Sequence, residues 1–208
     1  KPVKYTFSRA ESMRVHVKRH AMTVDLRSGC DSRGMLAGLE ERITADTGAY
    51  ASLGGPVLHR AVTHAGGPYA CANVTIDGVA VYTNNPPAGA FRGFGVPQVC
   101  FALESALDVL AAKVGLSPWE IRFRNAVRPG DTLPNGQVAG PDTAIEECLL
   151  AVKEPFEAAR TRAGVACAFK NTGLGMGHPD IGRCIVKVLD DRVEVCSGAA
   201  CTGQGLAT

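Results

Sequence analysis

Val99, Leu103, Ala106, Leu107, Leu110 and Val114 recur at steps of three and four residues, and the pattern stops at Gly115. That spacing puts them on one stripe of a helix, and glycine readily takes the left-handed conformation found just past a helix end. Ser117-Pro118-Trp119-Glu120 follows directly. It combines a capping hydroxyl, a proline at the first helical position and an acid three residues on, which predicts a second helix to about Ala126. A long one-sided helix must bury its stripe against a partner layer, and the first third of the chain offers strands for it.

Val3, Tyr5 and Phe7 alternate with Lys4, Thr6 and Ser8, the period-two pattern of a half-buried strand, and Met22, Val24 and Leu26 repeat it. Gly29-Cys30-Asp31-Ser32-Arg33-Gly34 supplies turn residues before a second extended run over 35–47, so an antiparallel hairpin is expected. Residues 48–68 are crowded with glycine and proline and read as a long connection carrying His59, Arg60 and His64. Residues 74–83 form another strand candidate, interrupted by Asp77-Gly78. Beyond the helices, Arg128-Pro129-Gly130-Asp131 opens a linker that runs to Pro141. Asp142 is placed to cap a third helix with Ile145, Leu149, Val152 and Phe156 inward and a kink at Pro155. Strands are expected at 165–170, 184–189 and 193–196, with Asp190-Asp191 as a tight turn. Strands and helices are segregated along the chain, which argues for an α+β fold of antiparallel strands packed with a few helices. Both ends read as cut points of a longer polypeptide.

The 208 residues carry a formal charge of +2, which excludes the basic footprint of a dedicated nucleic-acid binder. No apolar run approaches the roughly 18 residues of a membrane span. The eight cysteines form no C-x-x-C pair. They read as reduced, mostly buried small side chains in a cytoplasmic protein. His16 and His20 lie four apart on an extended segment, and no histidine spacing makes a metal site. No nucleophile–base set is visible, and the acid pairs Glu40-Glu41 and Glu146-Glu147 read as solvated faces.

Three glycine-punctuated segments could carry chemistry. Ala90-Phe91-Arg92-Gly93-Phe94-Gly95-Val96-Pro97-Gln98 lies just before the long helix. Its glycines let backbone approach a ligand, Arg92 offers a planar charged fork, and Phe94 between two glycines offers a stacking face. Asn171-Thr172-Gly173-Leu174-Gly175-Met176-Gly177-His178-Pro179 lacks both the Lys-Ser/Thr of a phosphate loop and the spacing of a dinucleotide turn. Thr202-Gly203-Gln204-Gly205 exposes a glutamine amide between glycines, with two donors and an acceptor for a heterocycle edge.

The first of these segments resembles the signature of the molybdenum hydroxylases, the xanthine dehydrogenase and aldehyde oxidase family. Residues 1–13, Lys18-Arg19-His20, Thr47-Gly48-Ala49-Tyr50, Thr83-Asn84-Asn85, Arg122-Phe123-Arg124-Asn125 and Thr202-Gly203-Gln204-Gly205-Leu206 are similar to the same large subunit. The resemblance implies parts of two molybdopterin-binding domains, residues 1–140 and the start of a second at 141–208. It implies that Phe91, Arg92, Gly93 and Gln204 contact the molybdopterin cofactor, that Phe94 stacks on the substrate ring and that Arg60 orients substrate. Met176 or Gly177 falls near a second substrate position, where purine enzymes carry an aromatic; that departure weakens a purine assignment. The implied reaction is hydroxylation of a heteroaromatic or aldehyde carbon with water as oxygen source, the metal supplying Lewis acidity and the protein orientation. Electrons leave through two [2Fe–2S] centres, which with any flavin (FAD) belong to other domains or subunits. The glycine-phenylalanine pterin loop is expected upstream of Lys1 and the general-base glutamate beyond Thr208, so this fragment is expected to be inactive alone and to need the rest of the large subunit. A hydroxybenzoyl-CoA reductase type of subunit is the alternative within the family. Carbon monoxide dehydrogenase is disfavoured, since that branch carries a cysteine in this loop, and a cofactor-free binding module is the alternative outside the family.

Overall fold

The computed structural model describes residues 1–159, 162–173, 179, 181–201 and 203–206. Along the chain run α1 (Arg9–Val15), β1 (Met22–Cys30), β2 (Leu36–Gly48), α2 (Gly54–His64), β3 (Val74–Tyr82), α3 (Val96–Lys113), α4 (Pro118–Asn125), α5 (Ile145–Ala159), β4 (Cys184–Val188) and β5 (Val193–Ser197). They form two compact units, Lys1–Lys170 and Asn171–Thr208. The 128–141 linker therefore runs inside the first unit, because Leu149 of α5 and Cys167 are buried in that unit's core.

In the first unit β1 and β2 pair antiparallel, with Met22 opposite Ala45 and Leu26 opposite Glu41. The hairpin is as expected. β3 instead joins parallel to β2, with Leu39 opposite Val74, so this sheet is mixed. Parallel pairing needs a crossover, and α2 provides it in the stretch 48–68 that reads as a loop by composition. Pro56 is tolerated there because first-turn amides have no helical partner in any case. Val57, Ala61 and His64 then bury one face. Two more expectations are corrected. Residues 3–8 form no strand: Val3 is 90 % exposed, and Ser8 with Glu11 makes a capping box that starts α1 instead. Residues 165–170 are also irregular, and the Cys167 amide bonds to a side chain, the Glu104 carboxylate, at 3.0 Å. Asp77-Gly78 does not interrupt β3.

α3 follows the predicted stripe: Val99, Leu103, Leu107 and Leu110 are buried, packed against the sheet and α4. It ends as expected at Gly115, whose φ of 72° lets the Leu116 amide return to the Ala111 carbonyl at 2.9 Å. Ser117 and Glu120 make the reciprocal cap of α4, and the Trp119 indole donates to the Leu149 carbonyl at 2.7 Å, tying α4 to α5. Within this core lies a buried ionic hub. Glu104 accepts from the Tyr69 hydroxyl at 2.6 Å and from Arg122 Nε at 2.6 Å, and Arg122 also reaches Asp108 and the Pro118 carbonyl. Burial first, then the neighbouring Glu104 charge, pushes the Tyr69 hydroxyl pKa far up.

Glu41 departs from the solvated reading of its acid pair. Strand alternation turns one of two adjacent residues inward, and Glu41 is fully buried between Leu39 and Ile43, with neither carboxylate oxygen hydrogen-bonded among the described residues. Burial pushes its pKa up to about 8. The cysteines also depart from expectation: only Cys167 is buried, and Cys148, Cys184, Cys196 and Cys201 are exposed. Three of these four belong to the second unit. There β4 and β5 pair antiparallel as a two-stranded hairpin that leaves Ile185, Val186, Val188 and Val195 exposed.

Candidate functional site

The segment 90–98 is a tight turn laid on α2. Gly93, Phe94 and Gly95 take φ of 93°, 53° and 98° in succession. For a phenylalanine this left-handed backbone is strained, and it persists only where the surroundings hold it. The turn closes on itself, the Phe94 amide donating to the Phe91 carbonyl at 2.8 Å and the Val96 amide to the Gly93 carbonyl at 3.2 Å. A Cβ on Gly95 would collide with the Val57 carbonyl of α2 and press on the Ala61 amide, and one on Gly93 would collide with the Pro97 ring. Glycine is thus required twice, once for each close approach. Gly95→Ala is expected to cost roughly 3 kcal/mol or more, from the left-handed backbone and the backbone clash together. Denaturant unfolding checks this against Gly55→Ala, where the added Cβ meets nothing within 4 Å.

Around that turn the candidate side chains take distinct positions. Arg92 is exposed and Phe94 half-buried. Phe91 is 48 % exposed and lies under the Arg19 guanidinium, 4.6 Å from the ring centre. Arg60 sits on α2 one residue before Ala61, so the helix that Gly95 contacts also carries it. Its carbonyl is bonded to the His64 ring Nδ1 at 3.0 Å. Burial and the nearby Arg60 charge hold the Lys170 ammonium below its ordinary value, which links α2 to the 165–170 segment. An apolar groove of about 720 Å³ runs from Gly93 and Pro97 past Phe101 along α3 to Phe169 and Lys170. In the second unit, Gln204 donates to the Ala200 carbonyl at 2.9 Å. Met176 and Gly177 lie outside the described residues.

Residues 1–126 match the molybdopterin cofactor-binding domain family. The chain belongs to that family. Along 99 % of its length it is 37 % identical to a probable xanthine dehydrogenase polypeptide of Bacillus subtilis, of which it spans 29 %. It is 44 % identical over 154 residues, 74 % of its length, to the nicotinate dehydrogenase large molybdopterin subunit of Eubacterium barkeri, spanning 36 % of that protein. Among solved structures, the aldehyde oxidoreductase of Desulfovibrio gigas matches 69 % of the chain with a TM-score of 0.66 at 33 % identity, over 16 % of that chain. The chain therefore spans only about a third or less of the relatives it matches.

The residues of this family member fit a pterin group on observations of their own. The turn carries an exposed guanidinium at Arg92 and a half-buried aromatic ring at Phe94. Such a set offers N–H donors and a stacking plane to a flat heterocycle with carbonyl and phosphate acceptors. Two residues that sequence patterns do not single out complete the turn's support. Arg19 donates through Nη2 to the Arg92 carbonyl at 2.7 Å, and the Gln98 amide donates to the His20 carbonyl at 3.0 Å. Only the Lys18-Arg19-His20 match to the family points toward the first of these; no local periodicity could.

Proposed function

We propose that this chain is part of the molybdopterin-binding large subunit of a molybdenum hydroxylase, acting on a heteroaromatic or aldehyde carbon. The observation that carries this reading is the three-residue left-handed turn packed on α2, with Arg92 exposed at its tip. When bound, the cofactor supplies a two-electron oxidation with water as the oxygen source. The chain's own residues bind and orient. Arg92 donates to the cofactor from the turn, Phe94 restricts a flat substrate ring to one plane, and Arg60 stabilises negative charge that develops on the substrate. Gln204 is assigned to the pterin, and Met176 or Gly177 to a second substrate contact. Residues 1–140 are assigned to one molybdopterin-binding domain and residues 141–208 to the start of another.

The names of the relatives support the substrate class, which spans purine, nicotinate and aldehyde chemistry. The partners in this reading are the remainder of the large subunit, iron–sulfur domains or subunits and any flavin subunit. Eight free cysteines support a reducing, cytoplasmic setting. Arg92→Met in the complete protein tests the reading. Molybdenum and pterin per polypeptide are expected to fall at least about tenfold, the loss of one charge-assisted contact. Full occupancy in a folded Arg92→Met protein would contradict it.

A further inference from the structure

We propose that Arg19 is the positioning residue of the cofactor turn, an inference that rests on the reading above. Three successive residues ahead of β1 each hold one point of the 88–98 segment. The Gly89 amide donates to the Lys18 carbonyl at 3.0 Å, Arg19 Nη2 donates to the Arg92 carbonyl at 2.7 Å, and Gln98 Nε2 donates to the His20 carbonyl at 3.0 Å. The middle tether is the charged one, and it acts on the residue whose side chain is assigned to the cofactor.

Arg19 holds the turn from two sides. Its guanidinium plane covers Phe91, whose carbonyl closes the turn by accepting the Phe94 amide, while one nitrogen grips the Arg92 carbonyl. The other nitrogen, Nη1, is buried beside Gly93 without a hydrogen-bond partner among the described residues, and Gln98 Oε1 is likewise buried without one. A buried orphan donor and acceptor on the two residues that brace one turn are costly. The left-handed Phe94 persists only where its surroundings hold it, and Arg19 supplies two of those holds. Arg19 therefore fixes where the Arg92 peptide points and keeps Phe94 in its left-handed state. Phe91 becomes the platform of that brace as well as a residue that the family resemblance puts on the cofactor. Lysine cannot replace Arg19 fully, because it has neither the fork nor the flat face.

The test measures hydrogen exchange of the cofactor-free complete protein, with occupancy as a second readout. In Arg19→Met, exchange across 91–98 is expected to rise about tenfold or more, the factor a charge-assisted hydrogen bond supports, while the β2 segment 39–45 stays protected. Molybdenum and pterin per polypeptide should fall with it, and Arg19→Lys should recover part of both. Should Arg19→Met fail to accumulate, Phe91→Leu removes the platform and predicts the same local loosening. Unchanged exchange over 91–98 in folded Arg19→Met, with Arg92→Met still losing cofactor, would overturn the positioning role alone. Full occupancy in Arg92→Met would overturn the cofactor reading and this role with it.

Discussion

Arg122→Met is expected to destabilise the protein by about 3–5 kcal/mol, because it leaves Glu104 buried without its cation. The Arg122 side chain is 1 % exposed and spends every nitrogen: Nε and Nη2 donate to the Glu104 carboxylate and carbonyl, and Nη1 donates to Asp108 and to the Pro118 carbonyl. Glu104 in turn holds the Tyr69 hydroxyl and the Cys167 amide. Losing the guanidinium thus loosens α3, α4, the segment around Tyr69 and the 165–170 segment together. Pairing the change with Glu104→Leu should recover only part of the loss: no buried charge remains, but the Tyr69 hydroxyl and the Cys167 amide lose their acceptor. Denaturant midpoints of the two single variants and the double variant measure this. Strict additivity of the single effects would contradict a coupled hub.

Glu41→Leu is expected to act in the opposite direction. An acid whose folded pKa is about 8 against an ordinary 4.5 keeps its proton in the folded state while the unfolded chain releases it. Below pH 4.5 both states are protonated and the group costs nothing through ionisation. Between 4.5 and 8 stability falls as pH rises, and above 8 the penalty is constant. At about 1.4 kcal/mol per unit of pKa, the penalty approaches roughly 5 kcal/mol as an upper bound at alkaline pH. Glu41→Leu should therefore stabilise modestly near the acid end of that window and by several times as much near its alkaline end, flattening the pH dependence of unfolding. An equal gain at both ends would show that Glu41 finds a partner in solution.

Both groups show why some of this molecule can be read from its sequence and some cannot. The α3 stripe, the Gly115 stop and the Ser117–Glu120 cap depend on residues within one helical turn, so spacing alone reveals them. The β1–β2 hairpin is local as well. The α2 crossover is hidden because Gly54-Gly55-Pro56 has loop chemistry and its buried side chains are only Val57, Ala61 and a histidine. The period-two run at Val3, Tyr5 and Phe7 specifies a face without specifying a neighbour, and no strand pairs with it among the described residues. Glu41 needed only the phase of β2, which the flanking Leu39 and Ile43 carry; adjacency to Glu40 hid it.

The candidate site divides in the same way. Phe91, Arg92, Gly93 and Phe94 share one short turn, and glycine spacing exposes it. The placement of α2, with Arg60, against Gly95 depends on tertiary packing. Arg19 reaches Arg92 across 73 residues, beyond any periodicity. Family resemblance carries the chemical assignment, and the structure adds the strained backbone of the turn and its contacts with Arg19.

A structure of the complete protein loaded with its cofactor tests the central claim most directly. The Arg92 guanidinium is expected within hydrogen-bond distance of the pterin group, with the 93–95 backbone still left-handed on α2 and the Phe94 ring facing the substrate position. A pterin bound elsewhere, with the 90–98 turn facing solvent, would contradict it.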